Sequence, residues 1–184
     1  MRLFTGIDIP GEVAGHISGL LDRLRPTAHL KWTAPYNLHL TTKFIGQWKE
    51  ERLPELVEKL KPLGKRPAFA IRLEGIGWFP NPHNPRILWT GVKTGPELGK
   101  LASDTDETLA ELGIEKDTKP YSPHLTLARI KEPVPLTHLR QSIAELPSVD
   151  FGSFTADRFY LYLSQPGPSG SIYTKLAEFP LIAE

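Results

Sequence analysis

The sequence contains no cysteine, which excludes disulfide frameworks, thiol nucleophiles, thiolate zinc sites and iron–sulfur clusters. It also lacks an excess of charge of either sign: 22 Lys and Arg stand against 21 Asp and Glu, a formal net charge of +1. Coating nucleic acid through bulk charge needs a strongly basic surface, so any anion recognition here has to be local. No stretch approaches the ~20 consecutive apolar residues of a membrane-spanning helix. The opening Met1-Arg2-Leu3-Phe4-Thr5-Gly6-Ile7-Asp8 meets a carboxylate too early for the apolar run of a secretory signal. A cytoplasmic protein with no membrane partner is the expectation. A Gly-rich phosphate loop after a strand is missing, which counts against a nucleoside-triphosphate site. So is a Gly-x-Ser-x-Gly elbow, which counts against a Ser-His-Asp hydrolase.

What remains is a folded, heavily punctuated chain. Its 184 residues amount to little more than one domain at ~150 residues each. Gly (15) and Pro (18) break it often, below the ~25–30% typical of low-complexity disorder. Apolar residues at helical spacing predict helices over 13–24 (ended by Pro26), 53–60 (stopping near Gly64), 98–112 (closed by Gly113) and 136–146. Alternating or short apolar runs predict strands over 3–9, 38–45, 68–76, 86–92, 124–130, 159–163 and 172–179. No linker divides them, so a single α+β unit over residues 1–184 is expected.

The chemistry lies in an internal echo. Pro35-Tyr36-Asn37-Leu38-His39-Leu40-Thr41 aligns with Pro120-Tyr121-Ser122-Pro123-His124-Leu125-Thr126, and Ile45 with Ile130 further on. The segments lie nearly half the chain apart, which reads as a duplication giving each half one equivalent strand. In a strand, residues i and i+2 share a face, about 6.6 Å apart. Each segment therefore presents one imidazole and one hydroxyl together, backed by leucines. If a pseudo-twofold axis relates the strands, the imidazoles face each other across a cleft. Such a pair suits in-line displacement at phosphorus, with a base beside the attacking oxygen and an acid beside the departing one. Histidine serves either role near neutral pH, and Thr hydroxyls can donate to the non-bridging oxygens. Neither metal nor cofactor is required.

His39-Leu40-Thr41-Thr42 and His124-Leu125-Thr126-Leu127 resemble the paired HxTx motifs of the 2H phosphoesterases. The run 120–129, Lys43-Phe44-Ile45-Gly46, Gly77-Trp78-Phe79-Pro80 and Arg86-Ile87-Leu88-Trp89 resemble its RNA 2′,3′-cyclic phosphodiesterase branch, also called 2′-5′ RNA ligase. The resemblance implies two pseudo-symmetric α/β lobes with antiparallel sheets flanking a central cleft, one motif (39–42 and 124–127) in each. It implies opening of RNA 2′,3′-cyclic phosphate ends to 2′-phosphomonoesters, with ATP-independent 2′-5′ joining of tRNA halves as a side activity. His39 would be the general acid, His124 the general base, and Thr41, Thr126 and Arg129 the phosphate holders. A monomer acting on RNA ends is expected. Two alternatives stand: a cyclic phosphodiesterase for small nucleotides such as ADP-ribose cyclic phosphate, and a non-catalytic RNA-end-binding module.

Arg129 sits five residues after His124, so on a flat strand it would point away; the strand must bulge, twist or end for it to reach the phosphate. Lys43 has the parity to contact substrate, and Phe44 and Tyr121 are candidates to stack on a terminal base. His16, His29, His83 and His138 read as structural or solvated. A His-based metal site is disfavoured because each strand histidine is paired with Thr rather than with a second ligand.

Overall fold

The apolar residues settle on the faces their spacing calls for. In the computed structural model, which describes residues 1–183, helix α1 (Gly11–Leu24) buries Val13, Ile17, Leu20, Leu21 and Leu24, one stripe of a 3.6-residue period. The chain then tightens into a 3₁₀ turn around Pro26, whose ring cannot continue the helix. α2 (Leu53–Leu60) carries Pro54 in its first turn, where no backbone donor is lost. α3 (Glu97–Ala110) buries Leu98, Leu101 and Leu109, and α4 (Thr137–Ala144) buries Leu139.

The strands form two antiparallel sheets. Across the first run β3 (His39–Gln47), β1 (Arg2–Asp8), β8 (Arg158–Gly167) and β9 (Gly170–Pro180). Across the second run β2 (Lys31–Trp32), β6 (His124–Arg129), β5 (Ile87–Thr94), β4 (Phe69–Phe79) and β7 (Asp150–Ala156). This is the α+β architecture expected, with two strands added. β2 is only two residues long, too short to leave a pattern. In β7 the partner β4 pairs Leu73 with Gly152 and Glu74 with Asp150, so Phe151 is an extra, unopposed residue. Gly152 takes a φ of +106° beside it, and the bulge erases the alternation by which a strand is recognised.

The chain crosses between the sheets repeatedly: β1 lies in the first, β2 in the second, β3 in the first, β4 to β7 in the second, β8 and β9 in the first. α1 packs on β7 of the second sheet while α3 packs on β3 of the first. One continuous core takes residues from both, including Leu40, Leu125, Ile17 and Leu101. His16 is structural, as expected: its Nδ1 meets the Phe151 carbonyl at 2.9 Å, tying α1 to the bulge of β7.

Candidate active site

The two His-x-Thr segments open their strands at matching places: His39 begins β3 and His124 begins β6. Leu40 and Leu125 turn into the core, leaving His39, Thr41, His124 and Thr126 half-buried on the other face, as a two-residue period requires. Both strands then bulge. Gly6 pairs with Thr41 and Thr5 with Lys43, leaving Thr42 unopposed. Trp89 pairs with Thr126 and Leu88 with Ala128, leaving Leu127 unopposed. Thr42 and Leu127 are equivalent positions, each the third residue after its histidine. An inserted residue reverses the alternation beyond it. Thr42 and Lys43 are therefore buried in succession, as are Leu127 and Ala128, and Phe44 and Arg129 emerge exposed on the side of the imidazoles.

Each imidazole is anchored through its Nδ1. His39 Nδ1 lies 2.7 Å from the Asn37 carbonyl oxygen, and His124 Nδ1 lies 2.8 Å from that of Ser122. A carbonyl only accepts, so Nδ1 carries the hydrogen and Nε2 is left to exchange protons. In the neutral tautomer His39 Nε2 accepts from the Thr41 hydroxyl at 2.8 Å. Aromatic rings wall His39: Phe4 at 4.8 Å, Tyr173 edge-on at 5.1 Å and Tyr162 at 5.8 Å between centroids. Phe79 meets His124 edge-on at 5.0 Å. Burial among these rings, and then the Arg129 guanidinium, hold both histidines below the ordinary imidazole value, against the opposing pull of the carbonyl anchors. The same cation acts on both imidazoles, and His124 in turn lowers His39; the two motifs share one electrostatic space.

Lys43 departs from its expected place. The Thr42 bulge turns it inward, where it is 2% exposed. Its Nζ donates to Asp106 Oδ1 at 2.6 Å, the Glu115 carbonyl at 2.8 Å and Asp117 Oδ1 at 3.1 Å. It is a knot between β3, α3 and the segment leading to the second motif, not a substrate contact. Tyr121 is likewise engaged within the protein, its hydroxyl donating to the Thr41 carbonyl at 2.8 Å and so bridging the motifs. Burial pushes its phenol well up. Phe44 stays 61% exposed. Thr126 keeps its hydroxyl clear while its carbonyl accepts from Thr33 Oγ1 at 2.9 Å.

The anchoring residues Asn37 and Ser122 are additions to the expected site. They act through backbone carbonyls, which leave no side-chain signature, although both stand two residues before a histidine in the repeat. Asn37 is itself fixed: its Nδ2 donates to the Ser171 carbonyl of β9 at 2.6 Å. Beside His39 a groove of about 500 Å³ runs between Asp8, Tyr36, Asn37, Tyr162, Tyr173 and Lys175. Among the described residues no three His, Asp or Glu gather where they could hold a metal ion, and no helix is long and apolar enough to cross a membrane.

Two equivalent strands, one in each antiparallel sheet, each present an imidazole and a hydroxyl, and the Arg129 cation acts on both imidazoles. The family model described as LigT like Phosphoesterase matches the chain twice, over residues 7–89 and 92–173, each match containing one His-x-Thr segment. The chain belongs to the LigT-like phosphoesterases. Over 97% of its length it is 36% identical to the RNA 2′,3′-cyclic phosphodiesterase of Archaeoglobus fulgidus, 99% of which is covered. A solved structure from Thermus thermophilus matches with a TM-score of 0.84 at 33% identity, covering 100% of both chains. Escherichia coli LigT complexed with 3′-AMP matches with a TM-score of 0.78 at 27% identity, covering 98% of this chain and 97% of that one.

Proposed function

We propose that the protein hydrolyses the 2′,3′-cyclic phosphate at the end of an RNA to a 2′-phosphomonoester, using its two histidines as acid and base. The observation that carries this reading is the pair of imidazoles, each held by Nδ1 with Nε2 left to work, beside Arg129. A relative acting on this substrate at 36% identity over nearly the whole chain supports it. His124 Nε2 takes a proton from water as its oxygen attacks phosphorus. The bond from phosphorus to O3′ breaks, and His39 Nε2 gives its proton to O3′. Thr41, Thr126 and Arg129 steady the charge on the non-bridging oxygens. In the free site both imidazoles favour the neutral form; the incoming phosphodiester anion offsets Arg129 and raises His39, so the acid is charged as substrate arrives. Solvent then returns the histidines to their starting states.

A 5′-hydroxyl in place of water would pass through the same steps and yield a 2′-5′ linkage between RNA ends, such as tRNA halves, without ATP, because the cyclic ester already holds the leaving group. In this reading the active unit is a monomer of two lobes related by a pseudo-twofold, working on RNA ends in the cytoplasm.

The test is an oligonucleotide ending in 2′,3′-cyclic phosphate, incubated with enzyme in the presence of EDTA, the product ends being identified. A 2′-phosphate is expected. Failure to open the ring, opening to a 3′-phosphate, or loss of activity to the chelator overturns the proposal.

A further inference from the structure

Beyond the terminal phosphate, three cations crowd one edge of the second sheet. Lys31 of β2 is the direct register partner of Arg129 of β6, so both side chains leave the same face. Lys131 lies two residues further on, past the buried Ile130, whose N–H still donates to the Arg86 carbonyl at 2.8 Å. Arg129, Lys131 and Lys31 are all exposed. Among the described residues none of the three has a carboxylate within 4.0 Å. Lys131 above all, then a slight desolvation and Arg129, pushes the Lys31 ammonium below the usual lysine range. The turn between β8 and β9 closes on the Lys31 stem: a Cβ at Gly170 would stand 3.6 Å from Lys31 Cε.

Like charges placed opposite one another repel, and on a chain of net charge +1 this cluster is a local departure rather than a general trend. An anion bound between them would relieve the repulsion. Arg129 already serves the imidazoles, and Lys131 lies two residues past it, beyond the end of β6 and further from His124 along the chain, at most about 7 Å on by chain length. That separation suits the step from one phosphate to the next along a single strand.

We propose that Lys31 and Lys131 form a second phosphate site that grips the phosphodiester preceding the cyclic end, so that the enzyme selects RNA chain ends over cyclic mononucleotides. This inference rests on the cyclic-phosphate reading above. Arg129 is the hinge between the sites, facing the reacting phosphate on one side and the lysine pair on the other.

Two measurements on Lys31→Gln/Lys131→Gln test it. The first compares kcat/KM for a ten-nucleotide RNA ending in 2′,3′-cyclic phosphate with that for cytidine 2′,3′-cyclic phosphate, at several salt concentrations. Wild type is expected to favour the oligonucleotide. The double variant should lose about tenfold of that preference, with a log–log salt slope flatter by roughly 0.7, the value for one phosphate neutralised on a single strand. The second is fluorescence anisotropy with an RNA carrying a 2′-phosphate end, which needs no turnover; binding should weaken about tenfold and lose the same salt dependence. Equal loss on both substrates, or binding and slope unaltered, overturns the second site. Wild type that binds the oligonucleotide through these lysines but opens neither substrate overturns the cyclic-phosphate reading while leaving the phosphate grip in place.

Discussion

Replacing Lys43 by Met separates two meanings of one side chain. As a substrate contact, its loss would raise KM and leave the fold alone. As a buried knot, its loss strands Asp106, which keeps the Asp117 N–H at 3.1 Å as its partner. Three bonds to the ammonium disappear, each worth ~1.5–3 kcal/mol in a charged pair, and breaking a buried pair costs about 3–5 kcal/mol. The Asp106 side chain is 20% exposed and that of Asp117 54%, so water compensates part, leaving roughly 2–3 kcal/mol. For a chain of this size 1 kcal/mol moves Tm by about 2–4 °C, so a fall of about 5–10 °C is expected. Urea unfolding and thermal melts of Lys43→Met, Asp106→Asn and the double variant supply the cycle, with a coupling of about 2 kcal/mol between them. The pH dependence has a defined sign. Burial works against ionised Asp106, but the bonds from Lys43 and the Asp117 N–H outweigh it and hold its carboxyl low. Its contribution is therefore present above the unfolded aspartate value of about 3.9 and fades as pH falls through the lower native value. The gap between wild type and variant should narrow in acid. A variant that melts within about 2 °C of wild type while its KM climbs would refute the reasoning and restore Lys43 to the substrate.

His39→Ala and His124→Ala should each lower kcat at least a hundredfold with Tm within a few degrees of wild type, since both side chains are only half-buried; steady-state rates and melts check this. The pH profile of kcat/KM should be a bell, rising as His124 loses its proton and falling as His39 does, with both limbs below the ordinary imidazole value of ~6.5, because burial and then Arg129 lower each group. Arg129→Met should cut kcat by about 10²–10³-fold and shift both limbs together toward alkaline pH, whereas movement of one limb alone would show that Arg129 serves a single imidazole. Gly6→Ala places a Cβ 2.8 Å from the Leu40 carbonyl and 3.5 Å from His39 Cδ2; a loss of about 1–3 kcal/mol, read by urea unfolding, is expected together with reduced kcat.

Much of this is legible from the residues alone, because period and repetition survive folding. The 3.6-residue stripe of α1 and the doubled His-x-Thr pattern depend only on side-chain identity. Bulges do not. Arg129 by simple parity faces the wrong way, and reaching the imidazoles requires an irregularity that the Leu127–Ala128 pair of buried residues supplies. The equivalent bulge at Thr42 reverses the reading of Lys43, since nothing in Thr-Thr-Lys announces an unopposed residue. β7 is hidden for the same reason at Phe151. The carbonyls of Asn37 and Ser122 stay invisible because any residue would offer them.

The to-and-fro of the chain between its sheets bears on how the molecule comes to exist. The repeat divides the chain near residues 89–92, but β1 of the first half is hydrogen-bonded to β8 of the second, and β4 of the first to β7 of the second. Neither half is thus a folding unit, and each alone would leave strand edges open. Pairings so distant along the chain demand costly loop closures before they yield any contact, which places folding toward the slow, milliseconds-to-seconds end for small domains. The site shares that fate: His124 and Arg129 sit on one strand, β6 of the second sheet, but His39 comes from β3 of the first, so the two imidazoles come together only when the sheets have packed. A reaction that uses both imidazoles therefore needs both sheets in place.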